Sequence, residues 1–544
     1  MYQLRSFTLR DVLIQSSLRY NKLPAVAFFE KQPVTYAALG RAAAAFAAVL
    51  RARGIRPGDR VAIISENRPE WAAAYFGITA GGFVGMPILT DFSRDQIVNI
   101  VAHAGCKAVV LSEKMRTKLE HAALPEIIPI ETLFFNINPQ SSCADDHEKR
   151  LMKELPPLKE DSLAVILYTS GTTGHSKGVM LTHRNLVWDA WATRSIIHLR
   201  RNDYFLSVLP LAHTYECTIG MLAPIMQGSF ISYMEKPPSA SVLLPALATL
   251  KPSVMVTVPL IMEKIYRGSI KPALEAIKLY KHVWLRPLLH RLAGMKLKKT
   301  FGGRIRFFGI GGAGLDPEVE QFLIDARFPY AIGYGLTETA PLIAGCAPFH
   351  TTLSSTGPAL HGVSLRIADP DPVTGDGEIQ ARGENVMLGY YREPEKTKEV
   401  FTTDGWFRTG DLGHFDSRKR LFIRGRLKAM IVGSSGENIY PEEIESLLNA
   451  HEHVVESLVY KDGGGLTALV HLKSEIIERL GAAVQDRIED AEDILDAIRH
   501  AANARLAGFS RLVKVKLQHE PFEKTPSQKI KRFLYPVKRT VKTH

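Results

Sequence analysis

Cysteine is scarce in this 544-residue chain. Cys106, Cys143, Cys217 and Cys346 stand without CxxC spacing, which argues against a zinc site or a disulfide framework and suits a reducing compartment. Long hydrophobic runs are also missing. The longest uncharged stretch, residues 217–234, is broken by Gly220, Pro224, Gln227, Gly228 and Ser229. It falls short of the roughly 20 apolar residues that a membrane span needs and reads as buried core. The first residues, MYQLRSFTLRDVL, lack the apolar centre of a signal peptide. There is no Walker A pattern, no zinc-finger spacing and no RNP signature. These absences predict a cytoplasmic globular protein that does not bind nucleic acid.

Acidic residues are outnumbered, leaving a net charge of +12. Part of the excess is local. Residues 264–306 carry Lys271, Lys278, Lys281, Arg286, Arg291, Lys296, Lys298, Lys299 and Arg304 against Glu275. Trp284, Leu285, Leu288, Leu289 and Leu292 interleave with these charges at near-helical spacing. Two readings follow: a solvated helix packed on the core, or a peripheral contact with an anionic membrane at its inner face.

Apolar periodicity gives the architecture. The Ala-rich run 36–53 has helical spacing and ends at Gly54 with the turn RPGD, and RVAIIS follows as a buried strand. WAAAYFGITAGG, FVGMPI and CKAVVLS repeat the pattern, which predicts an α/β fold with largely parallel sheets. Residues 136–161 read as a polar loop. From Gly357 short strands with Gly/Asp turns (SLRIADP, GEIQARG, RLFIRGR) predict a small antiparallel, barrel-like subdomain. The tail alternates short helices and strands, as α+β units do. The expected division is a large domain over 1–426, made of two α/β subdomains and the barrel-like one, and a small mobile domain over 427–544.

Chemistry concentrates in a few segments. An apolar strand runs into Thr169, Ser170, Gly171, Thr172, Thr173 and Gly174, then Lys177. Glycines let backbone N–H groups approach, hydroxyls donate and one lysine adds charge, a set suited to a polyphosphate. The run Gly309–Gly314 fits GxGxxG between a strand and a helix, but the next strand ends in glycine where a dinucleotide site needs an acid. In YGLTET, Tyr334 offers a flat face to a purine, Thr337 a donor for phosphate and Glu338 a hard oxygen ligand for Mg²⁺. Asp411, in GWFRTGD, suits ribose hydroxyls. Lys529, in KTPSQK, reads in isolation as a surface charge.

Taken in order, LYTSGTTGHSKG, YGLTET, GWFRTGDLG, RGRLKAMIVGSSGENIYPEEIE and KTPSQK resemble the adenylate-forming superfamily of acyl-CoA synthetases, adenylation domains and beetle luciferases, over about residues 30–535. The resemblance implies an ATP-dependent acid–CoA ligase with Mg²⁺, ATP and CoA as cofactor and co-substrates. It gives the Thr169–Gly174 loop and Lys177 the β- and γ-phosphates, with Thr169 and Glu338 at the metal. Gly311, Gly312 and Ala313 then line the adenine and acyl pocket. Tyr334 stacks on adenine, Thr337 holds the α-phosphate, and Asp411 grips the ribose with Arg426. Lys428 is the hinge, Gly436 lines the CoA tunnel, His213 abuts the substrate carboxylate and Lys529 bridges carboxylate and α-phosphate. Two positions depart from the family pattern: Gln528 replaces a glycine, and Arg408 a histidine. The LPLAH-xx-E run, SSGENIYPEEIE and the basic insert look most like fatty acyl-CoA synthetases, which implies a medium- or long-chain fatty acid. An aryl acid is the runner-up, and acyl carrier protein the alternative acceptor.

Overall fold

The computed structural model describes residues 4–134, 147–169, 176–236, 239–432, 438–462, 465–481, 488–525 and 529–535. The Ala-rich segment forms the helix Tyr36–Ala52, started by the Thr35 hydroxyl accepting from the Ala38 N–H. It packs along Pro69–Ala80, and small residues bring the two close: a Cβ on Gly77 would lie 2.8 Å from the Ala43 carbonyl oxygen.

This helix pair sits between two sheets. One is seven-stranded, in the order Gly389–Tyr390, Lys177–Thr182, Leu163–Thr169, Val84–Pro87, Arg60–Ile64, Ala108–Leu111, Glu126–Pro129. Its strands from Leu163–Thr169 onward run parallel. The other is eight-stranded, and its interior strands Pro24–Phe28, Phe230–Tyr233, Tyr204–Ser207, Val254–Thr257, Phe307–Gly311 and Tyr330–Gly335 are parallel. The main core joins the helices to both sheets, through Val61, Ile63 and Val110 on one side and Val26, Phe205 and Ile231 on the other. The expected α/β architecture is the one observed.

After Gly357 come four antiparallel strands, Ser364–Ala368, Gly377–Arg382, Phe407–Phe415 and Leu421–Arg426, in sequential order. The C-terminal part has a mixed three-stranded sheet, Val454–Asp462, Gly465–Leu472 and Leu512–Leu517. With the helices Pro441–Asn449 and Ile488–Asn503 it closes a core of its own, drawn from residues 439–515.

Two segments differ from the sequence expectation. The polar stretch read as a loop contains a helix, His147–Glu154, because Leu151 and Leu155, one turn apart, are buried in the main core. The stretch 217–234 is core, as expected, but enters it as a π-helical turn, Tyr215–Leu222, followed by the helix Ala223–Gln227. Among the described residues no helix is long and apolar enough to cross a membrane.

Gly335 closes the strand Tyr330–Gly335, where a Cβ would lie 1.8 Å from the Pro341 carbonyl oxygen. Backbone cannot yield as a flexible side chain does. Gly335→Ala is therefore expected to cost about 1–3 kcal/mol and lower the thermal midpoint by several degrees. An unchanged midpoint in a calorimetric scan would contradict this packing.

Candidate functional site

Five of the predicted residues follow the carboxyl ends of parallel strands of the eight-stranded sheet, where open α/β sheets place ligands. His213 follows Tyr204–Ser207, Gly312 and Ala313 follow Phe307–Gly311, and Thr337 and Glu338 follow Tyr330–Gly335.

The phosphate-type loop springs from an antiparallel pair in which Thr169 stands opposite Lys177. Ser170, Gly171, Thr172, Thr173 and Gly174 lie outside the described residues, as do Gly436 and Gln528. The Lys177 ammonium sits 4.7 Å from the centre of the Tyr390 ring. The Tyr390 hydroxyl donates to Glu338 Oε1 at 2.9 Å, so one aromatic ring ties the lysine to the candidate metal carboxylate. Glu338 lies in a tight turn, Thr337–Thr339, that is fastened from outside. The Met387 N–H donates to the Glu338 carbonyl, and the buried Asn385 amide donates to the carbonyls of Thr339 and Leu342 at 2.9 and 2.8 Å. Tyr390 and Asn385 carry no signal of their own in the sequence; only the fold brings them to the turn.

Asp411 and Arg426 face each other on neighbouring strands. Arg426 Nε lies 2.7 Å from Asp411 Oδ1, and the Tyr334 hydroxyl donates to Asp411 Oδ2 at 2.6 Å. Burial pushes the Asp411 carboxyl up from its ordinary pKa, opposed by Arg426, Tyr334 and Lys529. Tyr334 was read as a purine platform; the structure also makes it a fixed partner of the carboxylate. Arg408, where the family pattern has histidine, reaches Glu378 at 3.3 Å on the adjoining strand.

The GxGxxG run turns out to serve packing. A Cβ on Gly309 would lie 3.1 Å from the Tyr215 hydroxyl oxygen, and one on Gly311 3.2 Å from the same ring. The bare glycines thus seat Tyr215, and Gly312 turns the chain out of the strand with φ +91°. Beside them Phe205, Ile219, Val254, Val256 and Phe307, with Thr193, wall a narrow apolar crevice that has almost no free volume. The Tyr215 N–H points to His213 Nδ1 at 3.4 Å, a long contact that suits the tautomer with its proton on Nε2. Burial, and then the charge of Lys529, lower the His213 pKa to about 4, so the ring is neutral near pH 7.

Lys529 completes the cleft. It arrives from the C-terminal part on a loop closed by the Thr525 N–H to the Lys529 carbonyl (2.8 Å) and the Lys529 N–H to the Thr525 hydroxyl (3.2 Å). Its side chain is open to the water of the cleft yet ringed by protein. Surrounding protein lowers its pKa first, then repulsion from Arg426, while Asp411 and Glu338 oppose the shift. The lysine that sequence alone reads as a surface charge therefore shares one field with His213, Glu338, Asp411 and Arg426. Lys428 is exposed in the turn after Arg426, where the Ala429 and Met430 N–H groups return to the Arg426 carbonyl.

A family model described as "AMP-binding enzyme" matches residues 15–391. The chain belongs to the AMP-binding enzyme family. It is 32% identical over 541 residues to a long-chain-fatty-acid–CoA ligase, FadD15, of Mycobacterium bovis, covering 88% of this chain and 86% of that one. It is 28% identical over 537 residues to a long-chain-fatty-acid–[acyl-carrier-protein] ligase, AEE15, of Arabidopsis thaliana, covering 82% and 73%. The solved structure of ATP-bound MatB from Rhodopseudomonas palustris superposes with a TM-score of 0.76 at 27% identity, over 97% and 98% of the two chains. Family membership accounts for the shared order of the motifs.

Glu216, three residues beyond His213, is buried beside this family cleft. It takes the Ser207 hydroxyl at 2.5 Å, and burial pushes its pKa up to about 8. A carboxyl raised in the folded state contributes stability that is full below the unfolded value, about 4.3, and is lost as pH rises towards 8. Glu216→Gln removes the titration. The variant should gain on the wild type between pH 5 and pH 8, by on the order of a few kcal/mol. Parallel pH profiles of the two thermal midpoints would show that Glu216 is not held protonated.

Proposed function

We propose that this protein is an AMP-forming acid–CoA ligase: a carboxylate and ATP give acyl-AMP and pyrophosphate, and acyl transfer to CoA then releases AMP. One observation carries the reading. Lys529, from the C-terminal part, stands in the field of Glu338, Asp411 and His213 in the N-terminal part.

A carboxylate is a poor electrophile, and in the first half-reaction it must approach another anion. The Lys529 ammonium would neutralise charge as the carboxylate oxygen attacks the α-phosphorus and pyrophosphate leaves. Neutral His213, with its proton on Nε2, can donate to the carboxylate without adding a charge. Asp411, fixed by Arg426 and Tyr334, can accept from two ribose hydroxyls. Thr337 serves the α-phosphate, Gly312 and Ala313 the adenine wall, and Thr169 to Gly174 with Lys177 the outer phosphates.

A resident Mg²⁺ fits the residues present. Among the described residues no cluster of three His, Cys, Asp or Glu could cage a metal, and Mg²⁺ prefers one or two carboxylates completed by phosphate oxygens and water. Glu338 and the Thr169 hydroxyl would hold it, and its charge would offset that of the polyphosphate.

Residues 427–544 are proposed as a domain that turns about Lys428, withdrawing Lys529 and opening a CoA path past Gly436 for the thiol step. The kinship with a long-chain-fatty-acid–CoA ligase supports a medium- or long-chain fatty acid. The kinship with a carrier-protein ligase keeps acyl carrier protein as the second acceptor to test. We further propose a peripheral location on anionic membrane, through residues 264–306.

The test is a thioester assay over acids from acetate to palmitate plus benzoate, with CoA and acyl carrier protein as alternative acceptors. The expected result is CoA thioester with kcat/KM rising with chain length, at up to about 0.8 kcal/mol per buried CH₂. A preference for benzoate or acetate would reject the fatty acid; transfer to the carrier protein alone would reject CoA.

A further inference from the structure

The segment 264–306 is not one amphipathic helix. It runs through the short helices Pro259–Ile265 and Lys271–Glu275 and two 3₁₀ turns before the helix Arg286–Thr300. That last helix has two apolar faces. Its inner face buries His290, Gly294 and Leu297, and Leu297 and the following Phe301 join a core with Met255, Phe308 and Ile310. On the opposite side, at 100° per residue, Leu288, Leu292 and Met295 form a row that is 57%, 51% and 59% exposed. Arg291 and Lys298 flank this row on one side and Lys296 on the other, with Lys299 at its end. The turn before the helix adds Val283 and Trp284, exposed by 69% and 78%.

This projection is braced. Arg286 donates to the Tyr280 carbonyl at 3.2 Å, the Tyr280 hydroxyl meets His290 Nε2 at 3.0 Å, and His290 Nδ1 meets Asp325 at 2.8 Å. Water-exposed Trp, Leu, Met and Val side chains held in a fixed row are unfavourable for a protein that stays in solution. Residues 276–300 contain no acid and seven Lys or Arg. An apolar row on a convex helix with cations on both flanks matches a plane of anions over hydrocarbon, because the long basic stems can reach headgroups while the row enters between them.

We infer that the outer row Leu288, Leu292 and Met295, together with Val283 and Trp284, is the surface that docks on an anionic lipid bilayer, the apolar side chains inserting and the flanking lysines and arginines pairing with headgroups. The inference rests on the proposed membrane location and assigns it a face. That face lies across the sheet from the apolar crevice: Phe205, Val254 and Phe307 point to the crevice, whereas Leu206, Met255 and Phe308 point to the core under the docking helix. Docking therefore leaves the crevice unobstructed and is separable from catalysis.

The experiment is vesicle sedimentation of the full-length protein at low ionic strength, comparing phosphatidylcholine with a phosphatidylcholine–phosphatidylglycerol mixture. Binding is expected with the anionic mixture, reversed by salt. Lys296→Glu/Lys298→Glu/Lys299→Glu should lower the partition coefficient about tenfold or more. Trp284→Ser/Leu288→Ser/Leu292→Ser should lower it while preserving turnover of a water-soluble short acid. A blue shift of tryptophan emission on anionic vesicles should vanish in Trp284→Phe. Absence of binding to anionic vesicles would overturn the membrane location and the face together. Binding that survives both triple variants would overturn the face alone. A dimer in solution that the serine variant dissociates, or capture of acidic carrier protein at this face without lipid binding, would assign the surface to a protein instead.

Discussion

The cleft is organised around one cation that does not belong to the wall it serves. Lys529 rises from the C-terminal part, whose core is its own, and lies within electrostatic reach of Glu338, Asp411 and Arg426 on the other part. Two anions have to approach each other in the proposed first step, and everything nearby follows from that. Asp411 is braced by Arg426 and Tyr334, which oppose the upward push of burial on its pKa. His213 is kept neutral so that it adds no second positive charge beside the lysine. Glu338 is held by a tyrosine that also receives Lys177 on its ring.

The loop bearing Lys529 is tied firmly to its own side. Lys524 pairs with Glu456 at 2.6 Å, and Arg532 pairs with the buried Glu445. Contacts across to the N-terminal part are of another kind. Arg424 reaches Glu443 at 3.1 Å, the Tyr440 hydroxyl reaches Asp376 at 3.5 Å, and Arg267 donates to the Asn449 carbonyl at 2.5 Å. The Arg424–Glu443 pair, exposed on both sides, contributes little and exchanges readily for solvent. The proposed rotation of residues 427–544 would have to break these contacts.

The layered α/β core was legible in the sequence because small and β-branched residues alternate with turns that leave few choices. The strand ends carrying Thr169, Gly311 and Gly335 were legible for the same reason. The helix His147–Glu154 was not, since two leucines on a charged segment give no period until a core exists to receive them. The site was legible as ordered motifs but not as contacts. Nothing in the spacing announces that Tyr390 joins Lys177 to Glu338, or that Gly309 and Gly311 make room for Tyr215 rather than for a pyrophosphate. The two faces of the helix Arg286–Thr300 were equally hidden, because interleaved leucines look alike until the sheet claims one side.

The central claim is that Lys529 serves the adenylation step and withdraws before thioester formation. Lys529→Ala, assayed for ATP–pyrophosphate exchange and separately for thioester formation from supplied acyl-adenylate, tests it most directly. The account predicts loss of most exchange, on the order of several kcal/mol of transition-state stabilisation as for other preorganised charges, with thioester formation retained. Equal loss of both half-reactions, or exchange at the wild-type rate, would contradict it.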